Sequence, residues 1–188
     1  MVQFANTALR YGIVAIVFHW LMAVLLIFLI GVGLYMVSLP DAGFDTTKIV
    51  LILYHKENGI LALALGALRL AWRVGNVLPT LVETIPDWQK VAARFVHLTF
   101  YGLIFALPIS GWLMSSAAGI PVYLFGVYTL PDFIPHNDHH FHLLIAIHKW
   151  LSYVLIACIA LHAGAALRHH FLLRDETLKK MLPESCSK

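Results

Sequence analysis

Two histidines, His148 and His162, stand fourteen residues apart in an apolar stretch that covers residues 143–167. An α-helix turns by about 100° and rises by about 1.5 Å per residue, so fourteen steps place the two imidazoles about 21 Å apart and within about 40° of the same face. Imidazole nitrogens are common ligands of iron and other transition metals. The spacing therefore favours two metal cofactors stacked along one helix.

The composition of the chain shows which solvent surrounds that helix. Of 188 residues, 60% are hydrophobic and 12% are charged, and the mean hydropathy is +0.80, whereas a soluble domain carries about 25% charged residues. Four segments have the roughly 20 apolar residues that a helix needs to cross a hydrocarbon core; they are residues 13–37, 49–72, 95–118 and 143–167. We predict an all-α integral membrane protein whose single domain, residues 1–188, is a four-helix bundle. Its surroundings are the lipid bilayer, and no nucleic-acid partner is expected.

The basic residues predict the orientation of these helices, because cytoplasmic flanks collect lysine and arginine. With the N-terminus inside, ten of the thirteen basic residues lie on the inner side and three on the outer side. The inner set is Arg10, Arg69, Arg73, Lys90, Arg94, Arg168, Arg174, Lys179, Lys180 and Lys188, and the outer set is Lys48, Lys56 and Lys149. The sequence therefore predicts that both termini are cytoplasmic.

Four histidines lie inside the spans at two matched depths. His19 lies six residues into the first span and His162 six residues before Arg168, both toward the inner side, while His55 and His148 lie toward the outer side. Ionisable residues inside a span are costly and usually functional, and an imidazole that binds iron can still donate a hydrogen bond from its other nitrogen. The depths predict two bis-histidine b haems, one between His19 and His162 and one between His55 and His148. The haems would be held non-covalently, since the chain has no C-x-x-C-H motif.

Other uses of these histidines are open at this point. A lone intramembrane histidine can serve as a hydrogen-bonding residue between helices, worth about 1 kcal/mol, and a zinc site would need three or four ligands at one point. His97 is a fifth candidate and could replace His19 as the partner of His162. Because it follows Arg94 by only three residues, it should lie shallower, near the inner headgroups, where it could contact a haem propionate or a quinone or simply be solvated.

Further polar groups stand near both ends of the predicted bundle. Arg69 and Arg73 lie one turn apart at the inner end of the second span, where they anchor the helix and could also bind haem propionates. His169 follows the fourth span and could contact a quinone or a propionate, or only flank the helix. Lys56 and Lys149 directly follow the two outer ligands and could steer a small anion toward the outer haem, or only extend to the interface.

The loop before the fourth span is rich in histidine. It contains His136, His139, His140 and His142, with Asp138 as the only acid among them. Such a cluster could bind a transition metal, although it has no cysteine and could equally be a solvated loop.

Short motifs in order along the chain resemble the bacterial cytochrome b561 family, whose best-characterised type is a di-haem superoxide oxidase of the inner membrane. The likeness covers nearly the whole chain. Its residues are His19-Trp20-Leu21, His55, Gly59, Arg69-Leu70-Ala71-Trp72-Arg73, His97-Leu98, Tyr101, Ala106-Leu107-Pro108, Gly111, His148, Leu161-His162-Ala163, Ala165-Ala166-Leu167-Arg168-His169-His170-Phe171, Asp175, Thr177-Leu178 and Met181-Leu182-Pro183.

This resemblance implies a four-helix bundle with two b haems, ligated at the positions of His19, His55, His148 and His162. It also implies that superoxide gives an electron to the outer haem at the periplasmic side, that the electron passes to the inner haem, and that ubiquinone is reduced at the cytoplasmic side. The corresponding enzyme is a superoxide:ubiquinone oxidoreductase of the bacterial inner membrane. One alternative is a membrane-anchor cytochrome b that serves a partner dehydrogenase, and another is a metal-handling protein without haem. The oligomeric state is left open.

Overall fold

The computed structural model describes residues 3–40, 46–80 and 85–183. Most of the described chain lies in four long helices: α1, Ile13–Ser38; α2, Thr46–Val74; α3, Asp87–Ala117; and α4, Asp138–Arg168. Each covers almost all of one predicted span, and α2, α3 and α4 begin three, eight and five residues earlier than predicted. The prediction of a helical membrane protein with four long apolar helices is confirmed. Lys188, counted above among the inner charges, lies outside the described residues.

The helices are long and apolar enough to cross a bilayer. Helix α2 has 29 residues, and α3 and α4 have 31 each, which corresponds to about 44–47 Å of helix against a hydrocarbon core of about 30 Å. Large apolar side chains stay exposed along their surfaces, including Val24 at 66%, Leu98 at 71% and Leu161 at 66%. So many exposed apolar residues suit lipid and not water.

Contacts divide the chain into two compact units, and each unit draws on all four helices. The terminal unit consists of Met1–Ala23, Leu65–Gly102 and Leu155–Lys188, and the central unit consists of Val24–Ala64 and Leu103–Val154. The depth pairing seen in the sequence coincides with this division. His19 and His162 fall in the terminal unit, whereas His55 and His148 fall in the central unit. That residues 1–188 form a single domain stays a prediction.

In the terminal unit, the chain segments outside the helices are tied to one another by hydrogen bonds. The Asn6 side chain donates to the Val77 carbonyl at 3.0 Å, and the Thr80 backbone N–H donates to the Ala8 carbonyl at 2.9 Å. The Lys180 ammonium donates to the Thr80 carbonyl at 2.7 Å. These hydrogen bonds join the segment before α1, the segment after α2 and the C-terminal segment. They thereby hold the end of α2, which carries Arg69 and Arg73.

In the central unit, a small hairpin follows α3 that the sequence did not predict. Strand β1, Tyr123–Leu124, pairs antiparallel with β2, Tyr128–Thr129. The chain after the hairpin returns to α3, where Trp112 Nε1 donates to the Pro131 carbonyl at 3.1 Å and the Trp112 and Phe133 rings lie 4.3 Å apart. These contacts hold the end of α3 beside the connection to α4.

Candidate cofactor sites

In the central unit, the rings of His55 and His148 lie close together and nearly perpendicular to each other. His55 is on α2 and His148 is on α4, and both side chains are half-buried. Their ring centroids lie 6.2 Å apart, with the planes inclined at 76°. The two residues that the sequence paired by depth are therefore brought together.

The terminal unit contains a second pair with almost the same spacing. The ring centroids of His19 on α1 and His162 on α4 lie 6.1 Å apart, with the planes inclined at 57°. The helical rise gave both residues the same depth, and packing of α1 against α4 within this unit places the two rings beside each other.

The spacing of both pairs fits two imidazoles that bind one metal ion from opposite sides. A bond from a metal to an imidazole nitrogen is about 2.0 Å long and each nitrogen lies about 1.1 Å from its ring centre, so opposed ligands have centroids about 6.2 Å apart. The observed values of 6.1 and 6.2 Å match this distance. Two imidazoles at each site supply the pair of nitrogen ligands that a bis-histidine haem would need.

Glycines allow the rings of the central pair to lie close to neighbouring helices. A Cβ at Gly33 on α1 would lie 3.3 Å from His55 Cε1, and a Cβ at Gly111 on α3 would lie 3.4 Å from His148 Cε1. The distance at Gly33 is tighter than ordinary van der Waals contact, and the distance at Gly111 is at its lower limit. Gly33 was missed by the sequence reasoning, although a glycine inside a helix costs about 1 kcal/mol relative to alanine and so signals a reason for its presence.

His97 belongs to the ring cluster around His162. Its ring centroid is 5.5 Å from that of His162, and the Phe100 ring, also on α3, lies 5.4 Å from the His162 ring. His97 is therefore close enough to act on the same cofactor as His162. Its depth near the inner headgroups stays a prediction.

Zinc-type sites find no support in the described ranges, 3–40, 46–80 and 85–183. No group of three or more potential ligands converges there on a metal position. Of the four histidines predicted in the loop, only His136 precedes α4, because the helix begins at Asp138 and contains His139, His140 and His142. His136 Nδ1 lies 2.8 Å from the Ala117 carbonyl, its Nε2 lies 3.7 Å from Asp138, and the His139 and His140 rings stand 6.2 Å apart. His136 thus fixes the loop to the end of α3.

The two arginines of α2 lie beside the terminal pair. Arg69 Nη2 is 3.3 Å from His19 Nδ1, and the Arg73 guanidinium lies 5.5 Å from the centre of the Tyr101 ring. Both arginines line a cleft together with Trp72 and other residues of this unit. A guanidinium binds a carboxylate with two parallel hydrogen bonds, far better than it binds a single ring nitrogen at the long end of the hydrogen-bond range.

The lysines next to the central pair differ in exposure. Lys56 is half-buried and Lys149 is exposed. Neither forms an ion pair with a carboxylate within the described part of the chain. Their charges are thus available to an anion that approaches His55 and His148.

His169 is a buried residue with a carboxylate partner. Helix α4 ends in a π-helical turn, His169–Leu173, and Arg174 then adopts a left-handed conformation with φ of 54°. This turn brings Asp175 back to His169, whose Nδ1 lies 2.5 Å from the Asp175 carboxylate. The same carboxylate accepts a hydrogen bond from the Thr177 backbone N–H at 2.9 Å. The sequence named His169 but gave no reason to pair it with Asp175.

The hydrogen bonds at Asp175 set the sign of a pH effect. Burial by itself raises the pKa of the Asp175 carboxyl, but the hydrogen bonds from Thr177 and His169 outweigh burial and lower it below its usual value. The ionised carboxylate therefore stabilises the fold above the ordinary aspartate pKa of about 3.9, and this contribution is lost as the pH falls through the lower pKa of the folded protein.

Replacing Asp175 by asparagine should therefore lower stability at neutral pH. A hydrogen bond to a charged group contributes about 1.5–3 kcal/mol, so we expect a lower thermal unfolding midpoint at pH 7 and a difference from the parent protein that shrinks below about pH 4. The measurement is thermal unfolding of the detergent-solubilised protein across pH. Asp87→Asn, at a side chain that is 96% exposed, is the matched control. Equal midpoints for Asp175→Asn and Asp87→Asn at pH 7 would contradict the interpretation.

Comparison with known proteins identifies the family of this chain. Residues 10–184 match the model of the family described as prokaryotic cytochrome b561. The chain belongs to the prokaryotic cytochrome b561 family. The family resemblance noted in the sequence is thereby confirmed, and membership makes this cytochrome a multi-pass bacterial membrane protein of electron transfer that carries b-type haem.

Individual relatives of this cytochrome cover most of its length. It is 35% identical to cytochrome b561 homolog 2 of Escherichia coli (strain K12) over 187 residues, which are 98% of this chain and 97% of the relative. It is 32% identical to cytochrome b561 homolog 1 of the same organism over 69% of this chain and 73% of the relative. A third relative, the probable superoxide oxidase CybB of Yersinia pestis, is 28% identical over 93% of this chain and 97% of the relative.

Proposed function

We propose that this cytochrome binds two b haems, one between His55 and His148 and one between His19 and His162. The observation that carries the proposal is the equal spacing of the two pairs, 6.2 and 6.1 Å between ring centroids, which suits two ligands on opposite sides of one iron. Each haem, when bound, supplies a centre that accepts and releases single electrons. The residues of the chain determine where the haems sit and which molecules reach them.

We further propose that the electron donor is superoxide, which is oxidised at the periplasmic side next to His55 and His148. The relative from Yersinia pestis is named a probable superoxide oxidase, and that name supports the same activity here. Lys56 and Lys149 directly follow the two histidines and would attract a small anion to this side of the molecule. The distribution of basic residues supports a protein of the inner membrane with both termini in the cytoplasm.

Neutralising the two lysines tests the role of charge. The double variant Lys56→Gln/Lys149→Gln should lower the second-order rate of haem reduction by superoxide several-fold at low ionic strength, and the difference should shrink as salt screens the charges. The rate is measured by stopped-flow absorbance of the haems. The control is Lys179→Gln, at a lysine of the terminal unit that pairs with Glu176 at 3.0 Å. An unchanged rate in the double variant at low salt would rule out steering by these residues.

The electron acceptor in this proposal is ubiquinone, bound at the cytoplasmic side in the terminal unit. Reducing a quinone takes two electrons and two protons at one place. Arg69 and Arg73 would hold haem propionates or the quinone in the cleft that they line, and His97 would contact the same groups. His169, fixed through Nδ1 by Asp175, would present Nε2 for proton transfer. If His169→Ala left quinone reduction by the reduced protein unchanged, His169 would have no part in this step.

Turnover by the purified protein tests the whole proposal. The haem-loaded protein is mixed with an enzymatic source of superoxide and with ubiquinone, and haem reduction and quinol formation are followed together. We expect rapid haem reduction followed by quinol formation, both abolished when superoxide dismutase is added. Quinol formation that begins only when a partner dehydrogenase is supplied would instead support the alternative of a membrane-anchor cytochrome b subunit.

A further inference from the structure

Ser110 on α3 lies between the backbone of its own helix and the ring of His148. The residue is only 6% exposed. Its Oγ is 2.8 Å from the Leu107 carbonyl oxygen and 2.9 Å from His148 Nδ1. The hydroxyl therefore makes two hydrogen bonds at a site that water hardly reaches.

The directions of these two hydrogen bonds follow from counting protons. A serine hydroxyl has one proton, and a carbonyl oxygen can only accept, so the Ser110 O–H donates to Leu107. Toward His148 the serine oxygen then acts as the acceptor, and Nδ1 of His148 carries the proton; the Leu107 carbonyl is a second hydrogen-bond partner of the same ring. In a neutral imidazole only one nitrogen is protonated, which leaves Nε2 of His148 with a free lone pair.

One neighbouring residue gives the His148 ring room in this position, and another binds only the His148 backbone. Gly111, next to Ser110, lacks the Cβ that would lie 3.4 Å from His148 Cε1 and 3.6 Å from Nδ1. Ser152 lies one turn after His148 on α4. Its hydroxyl donates to the His148 backbone carbonyl at 2.8 Å, and this hydrogen bond does not involve the ring. Ser110 is thus the hydroxyl that acts on the imidazole, and Ser152 acts on the backbone alone.

The terminal pair has a different partner at the equivalent nitrogen. Nδ1 of His19 lies 3.3 Å from the Arg69 guanidinium, a group that can only donate. At 3.3 Å this contact lies beyond the usual hydrogen-bond range, so it does not fix the protonated nitrogen of His19, whereas the Ser110 hydroxyl lies at full hydrogen-bond distance from His148.

We propose that Ser110 is a positioning residue that holds His148 with Nδ1 protonated and Nε2 directed to the haem iron, and that it thereby lowers the midpoint potential of this haem. The inference rests on the proposed role of His148 as a haem ligand. An imidazole that donates a hydrogen bond from its second nitrogen is a more basic ligand, and a more basic ligand stabilises ferric over ferrous iron. Hydrogen bonding around the ligand is one of the means by which a protein sets haem potential. A lower potential at this haem favours passing the electron on to the second haem.

The experiment compares three variants in the full-length, haem-loaded protein. Ser110→Ala removes the hydroxyl acceptor and leaves only the Leu107 carbonyl beside the ring, Ser110→Cys replaces the hydroxyl by a weaker acceptor, and Ser152→Ala is the control that removes a hydroxyl from the backbone of His148. Spectroelectrochemical titration gives the midpoint potentials of both haems, and the His148→Ala variant, which retains only the other haem, assigns them. Low-spin haem spectra and the ratio of haem to protein show that each variant is folded and loaded.

We expect Ser110→Ala to raise the midpoint potential of one haem, the one absent from His148→Ala, and to leave the other unchanged. Ser110→Cys should produce a smaller shift of the same sign, and Ser152→Ala should produce none. Unchanged potentials in both Ser110 variants would overturn the inference, as would equal shifts in Ser110→Ala and Ser152→Ala. If Ser110→Ala fails to fold, the sign of the shift in Ser110→Cys decides. The proposed function fails separately, if His148→Ala retains both haems.

Discussion

Replacing His148 by alanine is expected to remove one of two haems and to abolish superoxide-driven quinone reduction. The rings of His148 and His55 are spaced to bind one iron from opposite sides, so the variant leaves that iron with a single protein ligand. If superoxide delivers its electron at this pair, the remaining haem has no donor. The ratio of haem to purified protein should fall by about half, since one of two bis-histidine sites is lost.

A matched control for this variant is available on the same helix. His142 lies two turns before His148 on α4 and is exposed, so His142→Ala should retain both haems and full turnover. Haem content is measured by the pyridine haemochrome absorbance and turnover by quinol formation. Full haem content in His148→Ala would refute its role as a ligand. Loss of haem in both variants would point instead to a general effect on α4.

The second large effect concerns the partner of His162. His19→Ala is expected to lose the haem of the terminal unit, whereas His97→Ala is expected to retain it. Opposed ligands of one iron need ring centroids about 6.2 Å apart; His19 matches this spacing at 6.1 Å more closely than His97 does at 5.5 Å. Without the haem of this unit, electrons from superoxide should not reach ubiquinone.

The two variants are compared by the haem ratio and by low-temperature absorbance spectra, which resolve the two haems. If His97→Ala loses the haem and His19→Ala retains it, then His97 is the ligand and the assignment of His19 is wrong. If His97→Ala retains both haems but reduces ubiquinone more slowly, His97 contacts the quinone or a propionate, as proposed above. The His162→Ala variant should lose the haem of the terminal unit, and its haem content and spectrum are the reference for the His19→Ala and His97→Ala variants.

The helical architecture and the histidine pairing were predictable from the sequence. Apolar runs of about 20 residues leave a chain in lipid no alternative to helices, because every backbone polar group must be paired within the span. In a spanning helix, residue number converts directly into depth. Counting from the ends of the spans was therefore enough to match His19 with His162 and His55 with His148, and packing places both pairs of rings about 6 Å apart.

The contacts that the sequence reasoning missed depend on helix packing and on local turns. The depth of a residue in its span does not specify either of these. The ring contact of His97 with His162 depends on the packing of α3 against α4 in the terminal unit. Asp175 was not paired with His169 because the contact depends on a π-helical turn and on the left-handed conformation of Arg174. Gly33 on α1 lies close to the ring of His55 on α2. No local sequence pattern predicts such a close approach between two helices.

The sequence by itself determined the solvent, the number of helices and the position of each paired histidine along its helix, since these follow from composition and from the constant rise of a helix. Only the tertiary structure decided which side chains surround the rings. The rotation of each helix about its axis places Ser110 and Gly111 against His148 and Arg69 beside His19. That rotation depends on the packing of all the neighbouring side chains at once, and a single sequence does not state it.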